Sequence, residues 1–596
     1  MKTYHKHLES TLAAGETVSL TRRPVFRSSA IFPVLHNAHY SCRVLFMGYW
    51  LLKRNIPEVQ MLVTLRAQNG TILLRKSLLI TEPKAFALRV GDLLAETTTE
   101  EATEFTGSLE LEIFATRDLV YPYPAFVLNY FSDTFMATVH TTGRVYNDIE
   151  DLQENEDIQV PECGFDILSG AAYAPFFAFV NGVYAYEKQI VRWTIVDEHD
   201  RATQGEFELR DVQPYGTYFI NLRDYIDLDT ILQGQKGTIK IHHNFRGFFP
   251  RFVAGNFELE RHALSITHTY YDSSAVSDAG AYWGNTDERF HDSAVFAPLF
   301  LEEGEYTQLV FYPIYSPSAF GIDLEFYDTN GQRIGTVQNW RHLETSPDQF
   351  FTLNFNDVIR ENFLPEQARQ LRGVNIIKHW PNRERIPTRL KFGLNVGRQQ
   401  RPMNLPTNVC FNSQVANAKL LTKPGTFKWS PILDGEHSVV VILNGSPVKE
   451  YATPANLDLT FYREADNQTL SRTAQVAPFG QLRIDMNTDQ ELASFLDGQP
   501  GWVTIQADNP FVTSWYFDFN ESGAVGVTMH FRCAALLYRF RDKAAFAVNS
   551  LCTRRLSKHT KHIVDQFIQR AYGCTFQFTN EQFSHSSYSL RSSAYH

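Results

Sequence analysis

The sequence predicts an all-β protein made of four tandem antiparallel β-sandwich repeats of about 130 residues, followed by a short C-terminal helical tail. Three observations lead to this fold class. Aromatic residues make up 14% of the chain, and flat rings pack well on pleated sheets. Strand-like segments alternate apolar and polar residues, which is typical of sheets with one buried and one wet face. Four sequence markers also recur in one order along the chain, which indicates an internal repeat.

The first two markers are an apolar opening segment and an alternating strand. The opening segment contains Pro or Trp and occupies residues 30–35, 173–178, 295–300 and 427–432. The alternating strand ends in a polar turn and occupies residues 61–70, 193–200, 322–331 and 457–466. Asn69-Gly70 and Asn330-Gly331 predict tight hairpins, because Asn and Gly tolerate the positive φ of primed turns.

The third and fourth markers are a strand that runs into Asp and a Gly that opens the next strand. The Asp residues are Asp92, Asp224 and Asp357, with a looser version at Asp485. The Gly residues are Gly107, Gly237, Gly373 and Gly501, separated by 130, 136 and 128 residues. A catalytic carboxylate normally occurs once, so a recurring Asp indicates a structural role at the turn after the strand.

The markers and the polar stretches between them divide the chain into six parts. These are an N-terminal arm at 1–29, repeats at 30–150, 163–275, 288–400 and 425–535, and a basic tail at 536–596. Val564, Ile568, Ala571 and Tyr572 lie at helical spacing beside basic residues. The tail is therefore expected to form an amphipathic helix that docks on the body, on a partner or on an anionic surface.

Charge and cysteine usage restrict the class of protein. The net charge is −11, with +7 on the residues from Arg532 onward and −18 on residues 1–531. An acidic body repels nucleic acid, so no nucleic-acid partner is expected for it. The six cysteines are scattered without a CxxC pair. Together with the lack of a signal peptide or transmembrane segment in the sequence, this predicts a cytoplasmic protein.

The chain carries no familiar catalytic or nucleotide-binding motif, and its one recurring chemical feature is histidine. His140, His268 and His530 each end an apolar strand near the close of a repeat, whereas the third repeat shows residues 394–397 at that place. Three neutral imidazoles around a common centre could bind a divalent metal, the only cofactor that the pattern implies. The alternative is a hydrogen bond within each sandwich.

An aromatic and Pro-rich loop follows the Gly strand in each repeat. Aromatic faces beside Arg, Asn and His suit contact with sugar rings or with a protein partner, whereas the alternative is that the rings plug the open ends of the sandwiches. The candidate ligand-binding residues are Tyr121, Tyr123, Arg246, Phe248, Phe249, Arg251, His379, Trp380, Arg383 and Phe511.

The preferred functional interpretation is a non-catalytic binding or structural protein whose loops contact a glycan or protein partner. One alternative is a metal-dependent or carbohydrate-active enzyme with its site at a junction between repeats. Another is a viral or surface-assembly component. These interpretations are best distinguished by the arrangement of the repeats, which could form a closed order around the histidines or an extended rod.

Overall fold

The computed structural model describes most of the chain between residues 25 and 529. The described ranges are 25–97, 104–140, 143–146, 162–249, 251–271, 282–284, 287–302, 304–311, 318–343, 351–387, 391–399, 401, 403–405, 407–412, 414–415, 418–433 and 437–529. The predicted helical tail and nearly all of the N-terminal arm lie outside these residues. Within the described ranges, no helix has both the length and the apolar character needed to cross a membrane.

The first part of the chain forms two four-stranded antiparallel sheets, which we call the first sheet pair. One sheet has the order β1-β6-β3-β4 and the other the order β5-β2-β7-β8. The strands are β1 (Arg27–His36), β2 (Ser41–Met47), β3 (Val59–Ala67), β4 (Ile72–Ile80), β5 (Ala85–Arg89), β6 (Phe105–Phe114), β7 (Val127–Phe131) and β8 (Met136–His140), with α1 (Tyr49–Arg54) and α2 (Val90–Ala95) between them.

The second sheet pair repeats this order with three short additions. Its sheets run β13-β12-β15-β10-β19 and β14-β11-β17-β18. The elements are β9 (Arg144–Val145), β10 (Glu162–Leu168), β11 (Tyr173–Val180), β12 (Tyr186–Asp197), β13 (Ala202–Val212), β14 (Thr217–Asn221), a 3₁₀ turn (Leu222–Asp224), α3 (Leu228–Leu232), β15 (Lys236–His242), β16 (Phe248–Phe249), β17 (Val253–Glu258), β18 (Ala263–His268) and β19 (Tyr270–Tyr271).

The third sheet pair has the orders β24-β23-β26-β21-β30 and β25-β22-β28-β29. Its elements are β20 (Tyr282–Trp283), β21 (Ser293–Pro298), β22 (Glu305–Phe311), β23 (Phe320–Tyr327), β24 (Arg333–Leu343), β25 (Phe351–Asn354), α4 (Phe355–Asn362), α5 (Pro365–Ala368), β26 (Gly373–His379), β27 (Ile386–Pro387), β28 (Lys391–Arg398), β29 (Thr407–Asn412), β30 (Gln414–Val415) and a 3₁₀ turn (Ala418–Thr422).

The fourth sheet pair has the orders β31-β36-β33-β34 and β35-β32-β37-β38. Its elements are β31 (Thr426–Ile432), β32 (Ser438–Asn444), β33 (Ala455–Arg463), β34 (Thr469–Val476), β35 (Gln481–Asp485), α6 (Gln490–Leu496), β36 (Gly501–Ala507), β37 (Val512–Phe519) and β38 (Val525–Met529).

All four sheet pairs share one topology when their main strands are numbered first to eighth. The first, sixth, third and fourth strands make one sheet, and the fifth, second, seventh and eighth make the other. The inward faces carry Val, Leu, Ile and Phe side chains that are almost fully buried, and these form the hydrophobic cores. The all-β fold class with antiparallel sheets is therefore confirmed.

The turn markers have clear local structures. Gly70 and Gly331 adopt φ of 87° and 80° in the hairpins that join the third and fourth strands. In the first three sheet pairs the recurring Asp lies in the first helical turn after the fifth strand, where Asp92 and Asp357 occupy the first turns of α2 and α4 and Asp224 lies in the 3₁₀ turn. A carboxylate there interacts favourably with the positive end of the helix dipole. Asp485 ends the fifth strand of the fourth pair.

Two strands lie elsewhere than the markers suggest. The opening segment at 173–178 belongs to β11, the second strand of its sheet pair, because β10 precedes it as the first strand. The eighth strand of the third pair is β29, which pairs with β28. β29 lies in the stretch that separates the third and fourth predicted repeats. Residues 394–397, expected to match the histidine-bearing strands, belong to the seventh strand instead.

Backbone hydrogen bonds join the first pair to the second and the third pair to the fourth in the same way. The Thr217 N–H donates to the Gln68 carbonyl at 2.8 Å, and the Gln481 N–H donates to the Thr329 carbonyl at 3.0 Å. In both cases the turn between the third and fourth strands of one pair meets the fifth-strand region of the next. The junctions therefore repeat along with the sheets.

Side-chain contacts make the two remaining junctions. The Asn395 amide donates to the Asp166 carboxylate at 2.9 Å between the third and second pairs. Arg89 and Glu464 form an ion pair at 3.0 Å between the first and fourth pairs. At the same time β8 contacts β18 and β38, and β29 contacts those same two strands. The four eighth strands thus meet in a closed order, and the sheet pairs are not strung out as a rod.

Candidate functional site

The closed order brings two of the three predicted histidines to neighbouring strands. His140 and His268 are the last residues of β8 and β18, and both are buried. The Nδ1 atom of His140 lies 3.0 Å from the Phe126 carbonyl oxygen. His530, the third predicted histidine, lies outside the described residues.

His268 has hydrogen-bond partners at both ring nitrogens. The Arg251 guanidinium lies 2.8 Å from Nε2, and the Thr269 carbonyl oxygen lies 3.0 Å from Nδ1. A guanidinium only donates, so Nε2 accepts and Nδ1 carries the proton. This tautomer uses the lone pair that a metal would need. Among the described residues, no group of three or more His, Cys, Asp or Glu is placed to hold a metal ion, and the three-histidine site stays a prediction.

In the first two sheet pairs, the aromatic loops after the sixth strand hold the chain that connects the pairs. Tyr121 and Tyr123 are half-buried, and the Pro122 carbonyl between them accepts hydrogen bonds from the Ser29 N–H and the Arg144 guanidinium. In the second pair, β16 forms a two-stranded ladder with β9 of the connection. These loops therefore have a structural role in the junction.

Ring burial separates the predicted loop residues into two groups. Phe248, Phe249, Trp380 and Phe511 are between 3% and 9% exposed, so their ring faces are covered by protein. Arg246 is exposed, and the side chain of His379 is 43% exposed. Contact with a ligand through these loops therefore depends on their polar side chains more than on aromatic stacking.

The third loop rests on a rigid base. The Trp380 ring stacks on Phe320 with 4.9 Å between ring centroids, and its backbone N–H donates to Asp292 at 2.9 Å. Arg383 forms ion pairs with Asp292 at 2.6 Å and with Glu288 at 2.7 Å. These contacts fix the backbone just after β26, where His379 projects.

An open groove of about 250 Å³ lies at this end of the third sheet pair. Its walls include Gly321, Arg341, His342, His379 and Trp380. In the strand register, Gly321 stands opposite His342 on one side and His379 on the other. Directly opposite residues share a face of the sheet, so two imidazoles flank a position without a side chain.

Gly321 makes room for this arrangement. A Cβ atom at this position would lie 2.2 Å from Nε2 of His379, closer than any real contact. The glycine therefore allows the imidazole to lie across β23. A second feature is Asn339, which adopts φ of 49° where the register between β23 and β24 shifts. Such a bulge redirects the side chains that follow it, here Arg341 and His342.

The groove carries mostly basic and amide groups. Asp323 is the carboxylate nearest to His379, at 3.9 Å between Oδ2 and Nδ1, and its Oδ1 accepts the Asn339 N–H at 2.6 Å. The Arg341 guanidinium lies over the Trp340 ring, 5.8 Å from its centroid. An anionic group entering the groove would meet an arginine, two imidazoles and an amide.

Sequence reasoning identified His379 and Trp380 but not the other walls of the groove. Arg341 and His342 follow an interruption of the strand pairing at Asn339, which a strict alternation of apolar and polar residues does not reveal. The Asn in the middle of a strand was the available signal, because Asn tolerates positive φ and often marks a bulge.

A pair of carboxylates lies on β6, near the junction of the first and second sheet pairs. Glu110 bonds Arg66 at 2.9 Å, Glu112 bonds Arg27 at 2.8 Å, and the Arg66 guanidinium lies 4.4 Å from the centroid of the Tyr215 ring of the second pair. Burial raises the pKa of Glu110, and Arg66 opposes that rise. Because each carboxylate has its own arginine, this arrangement is typical of a buried ion-pair network.

Comparisons with known proteins give little further information. Neither a scan of protein-family models nor a search of curated proteins found a match. The solved structures found include a calcium-binding mutant of Bacteroides uniformis beta-glucuronidase 2, at 8% identity over 52% of this chain and 31% of that chain, with a TM-score of 0.10. A putative beta-galactosidase from Bacteroides fragilis shows 14% identity over 44% and 36%, with a TM-score of 0.09.

Chicken CNTN1 domains FN1–FN3 give 9% identity over 62% of this chain and 98% of that one, with a TM-score of 0.09. This chain spans about a third of the length of the two bacterial enzymes. At such low TM-scores these similarities carry no argument about fold or function.

Proposed function

We propose that this chain is a non-catalytic binding protein, in which a closed set of β-sheet pairs supports a ligand groove at the third pair. The observation that carries the proposal is the convergence of Arg341, His342 and His379 on an open groove beside the rigid Trp380 base. Phe320 and Asp292 hold Trp380 in place, and a preorganised surface loses less entropy on binding.

The chemistry of the groove favours an anionic ligand. Arginine and imidazole donate hydrogen bonds to carboxylate, sulfate or phosphate oxygens, and such charge-assisted bonds are stronger than neutral ones. The Trp380 face is covered by Phe320, so stacking against a neutral sugar ring is not supported there. We therefore propose an acidic saccharide, bound through its carboxylate or sulfate group, as the ligand.

The test is a binding titration of the full chain with sulfated, carboxylated and neutral oligosaccharides of matched length. We expect the acidic ones to bind, and the affinity to fall as salt rises. Arg341→Ala should weaken binding about tenfold, the equivalent of ~1.4 kcal/mol for one charge-assisted hydrogen bond. Arg333→Ala is the matched control, because Arg333 lies on the same strand but pairs with Glu325 at 3.1 Å.

Three outcomes would overturn the proposal. The first is equal binding of neutral and acidic oligosaccharides. The second is unchanged affinity in both Arg341→Ala and His379→Ala, with binding located elsewhere. The third is turnover of any oligosaccharide in the panel by the full chain, which would favour the carbohydrate-active enzyme instead. If a polyglutamate peptide binds and the saccharides do not, the ligand is an acidic protein segment and not a glycan.

A further inference from the structure

The fourth strand of the first sheet pair is an edge strand with an apolar surface. β4 ends its sheet, and its ladder partner among the described strands is β3. Ile72 and Leu79 on this strand are 44% and 53% exposed, so apolar surface lies near both ends of the strand. An edge of this kind offers a row of backbone donors and acceptors to another strand.

The residues of β4 read the same in both directions around Lys76, apart from Arg75 and Ser77. The strand is Ile-Leu-Leu-Arg-Lys-Ser-Leu-Leu-Ile. If two such strands lie antiparallel with their Lys76 residues opposite, Ile72 faces Ile80, Leu73 faces Leu79 and Leu74 faces Leu78 of the second copy. Each apolar residue of one strand then meets an apolar residue of the other on the same face of the sheet.

From this self-complementarity we infer that β4 is a homodimer interface, in which two copies of the chain pair antiparallel about Lys76. The contact is isologous, so one twofold axis generates it and the dimer closes without further growth. It joins two four-stranded sheets into one eight-stranded sheet. The main-chain ladder supplies the affinity and the mirrored side chains supply the register.

Charge is compatible with this pairing. Two lysines placed opposite each other repel, but Lys76 forms an ion pair with Glu96 on its own chain. The twofold axis therefore brings together two ion pairs, with no net charge at the centre. Arg75 would face the uncharged Ser77 of the second copy, and its Nε already donates to Thr64 at 3.2 Å.

The equivalent edges of the other three sheet pairs lack these properties. β13 contains Gly205, three charged residues in its second half and Asp211 at φ of 52°. β24 contains Gly335 and the bulge at Asn339. β34 reads Thr-Leu-Ser-Arg-Thr-Ala-Gln-Val, which is mostly polar. Charges, bulges and polar residues are the usual features that prevent edge pairing. Among the fourth strands of the four sheet pairs, only β4 has a sequence that is both largely apolar and mirrored.

Sedimentation velocity of the full chain across a concentration series tests the inference. We expect a reversible monomer–dimer equilibrium that does not proceed to larger species. Leu79→Lys should weaken dimerisation at least about tenfold, since it places a charge opposite Leu73 of the second copy. Leu259→Lys is the matched control, because Leu259 is 49% exposed in the second sheet pair and should leave dimerisation unchanged.

A cysteine pair tests the register. Opposite residues in an antiparallel ladder lie within reach of a disulfide. Lys76→Cys should therefore give a disulfide-linked dimer under mild oxidation. Ser77→Cys alone should not, because the new thiol of each copy faces Arg75 of the other. The unsubstituted chain measures the background from native cysteines.

The inference is overturned if the chain is monomeric at every concentration, which would assign Lys76 the role of an edge-protecting charge. It is equally overturned if Leu79→Lys dimerises like the parent chain, or if Ser77→Cys crosslinks as well as Lys76→Cys.

Discussion

His243 and His379 stand at the same distance from the glycine marker in the second and third sheet pairs, six residues after Gly237 and Gly373. Their surroundings are opposite. His243 is half-buried with its Nε2 atom enclosed, and the ring centroids of Phe245 and Phe252 lie 5.2 and 5.1 Å from its own. His379 is 43% exposed and lines the groove. The same spacing from the marker thus places one histidine against core aromatic rings and the other in the groove.

The cause is the face of the sheet on which each histidine lies. Ile239 and Ile241 are core residues, so alternation places His243 on the core face of its strand. Val374 and Ile376 are core residues, so His379 lies on the opposite face of β26. In the third pair Gly321 stands opposite His379, and the missing side chain leaves the imidazole open to solvent. The comparison indicates that a shift of one residue relative to the glycine marker moves a repeated side chain to the other face of the sheet.

The largest expected effect comes from removing the base of the groove. Trp380→Ala deletes a ring that is 4% exposed and stacked on Phe320. Loss of a large buried aromatic side chain destabilises by about 3–5 kcal/mol. Urea unfolding followed by Trp fluorescence and circular dichroism measures this. A loss below about 1 kcal/mol, the range of exposed substitutions, would mean that Trp380 is not a structural base.

His243 should make stability depend on pH. Burial lowers the pKa of His243 to about 3, against an ordinary value of 6.5. Its folded pKa is the lower one, so its contribution to stability is complete above pH 6.5 and is lost as the pH falls toward 3. Between pH 6.5 and 5 the loss is about 2 kcal/mol, at ~1.4 kcal/mol per pH unit.

Urea unfolding at several pH values separates His243 from the other titrating groups. His243→Phe should reduce the slope of unfolding free energy against pH by that amount, whatever its effect on absolute stability. His379→Phe is the control for the same substitution at the other histidine, and it leaves the surroundings of His243 untouched. Equal slopes in the parent and His243→Phe would contradict the burial argument.

Gly321→Ala tests whether the position of His379 matters to the groove. The added Cβ would lie 2.2 Å from Nε2 of His379, so the imidazole must turn away from β23. We expect binding of acidic oligosaccharides to weaken about tenfold, or ~1.4 kcal/mol. Gly284→Ala is the matched control, since its Cβ would meet its nearest atom at an ordinary 3.7 Å. Unchanged binding in Gly321→Ala would show that the position of His379 does not matter to the groove.

The fold class could be read from the sequence because alternation and hairpin turns are local properties. Asn69-Gly70 and Asn330-Gly331 do join adjacent strands. It was harder to predict which strand of a sheet pair each segment forms. The segment at 173–178 resembles the opening strands of the other copies, whereas the true first strand, Glu162–Leu168, has an irregular register. Similar apolar segments can occupy different places in a sheet, and only pairing distinguishes them.

The candidate site was less predictable for a related reason. His379 and Trp380 attracted attention because a polar and aromatic loop recurs after each sixth strand. Gly321 and His342 belong to the site only through their pairing across the sheet. The mirrored sequence of β4 was visible in the sequence, but its meaning depends on β4 being an edge strand.

The smallest expected effect concerns the bulge that directs Arg341 and His342 to the groove. Asn339 has φ of 49°, where a Cβ atom and a non-polar side chain are disfavoured by about 1 kcal/mol. Asn339→Ala should therefore lower the unfolding free energy by about 1 kcal/mol, whereas Asn339→Gly should change it by only a few tenths, because glycine adopts this φ without strain. Both variants keep the backbone N–H that donates to Asp323.

Urea titration of the two variants side by side checks the order of their unfolding free energies. An Asn339→Ala variant as stable as Asn339→Gly would mean that the strand re-pairs without its bulge. In that case Arg341 and His342 would exchange faces, and acidic oligosaccharides should bind more weakly to Asn339→Ala than to Asn339→Gly.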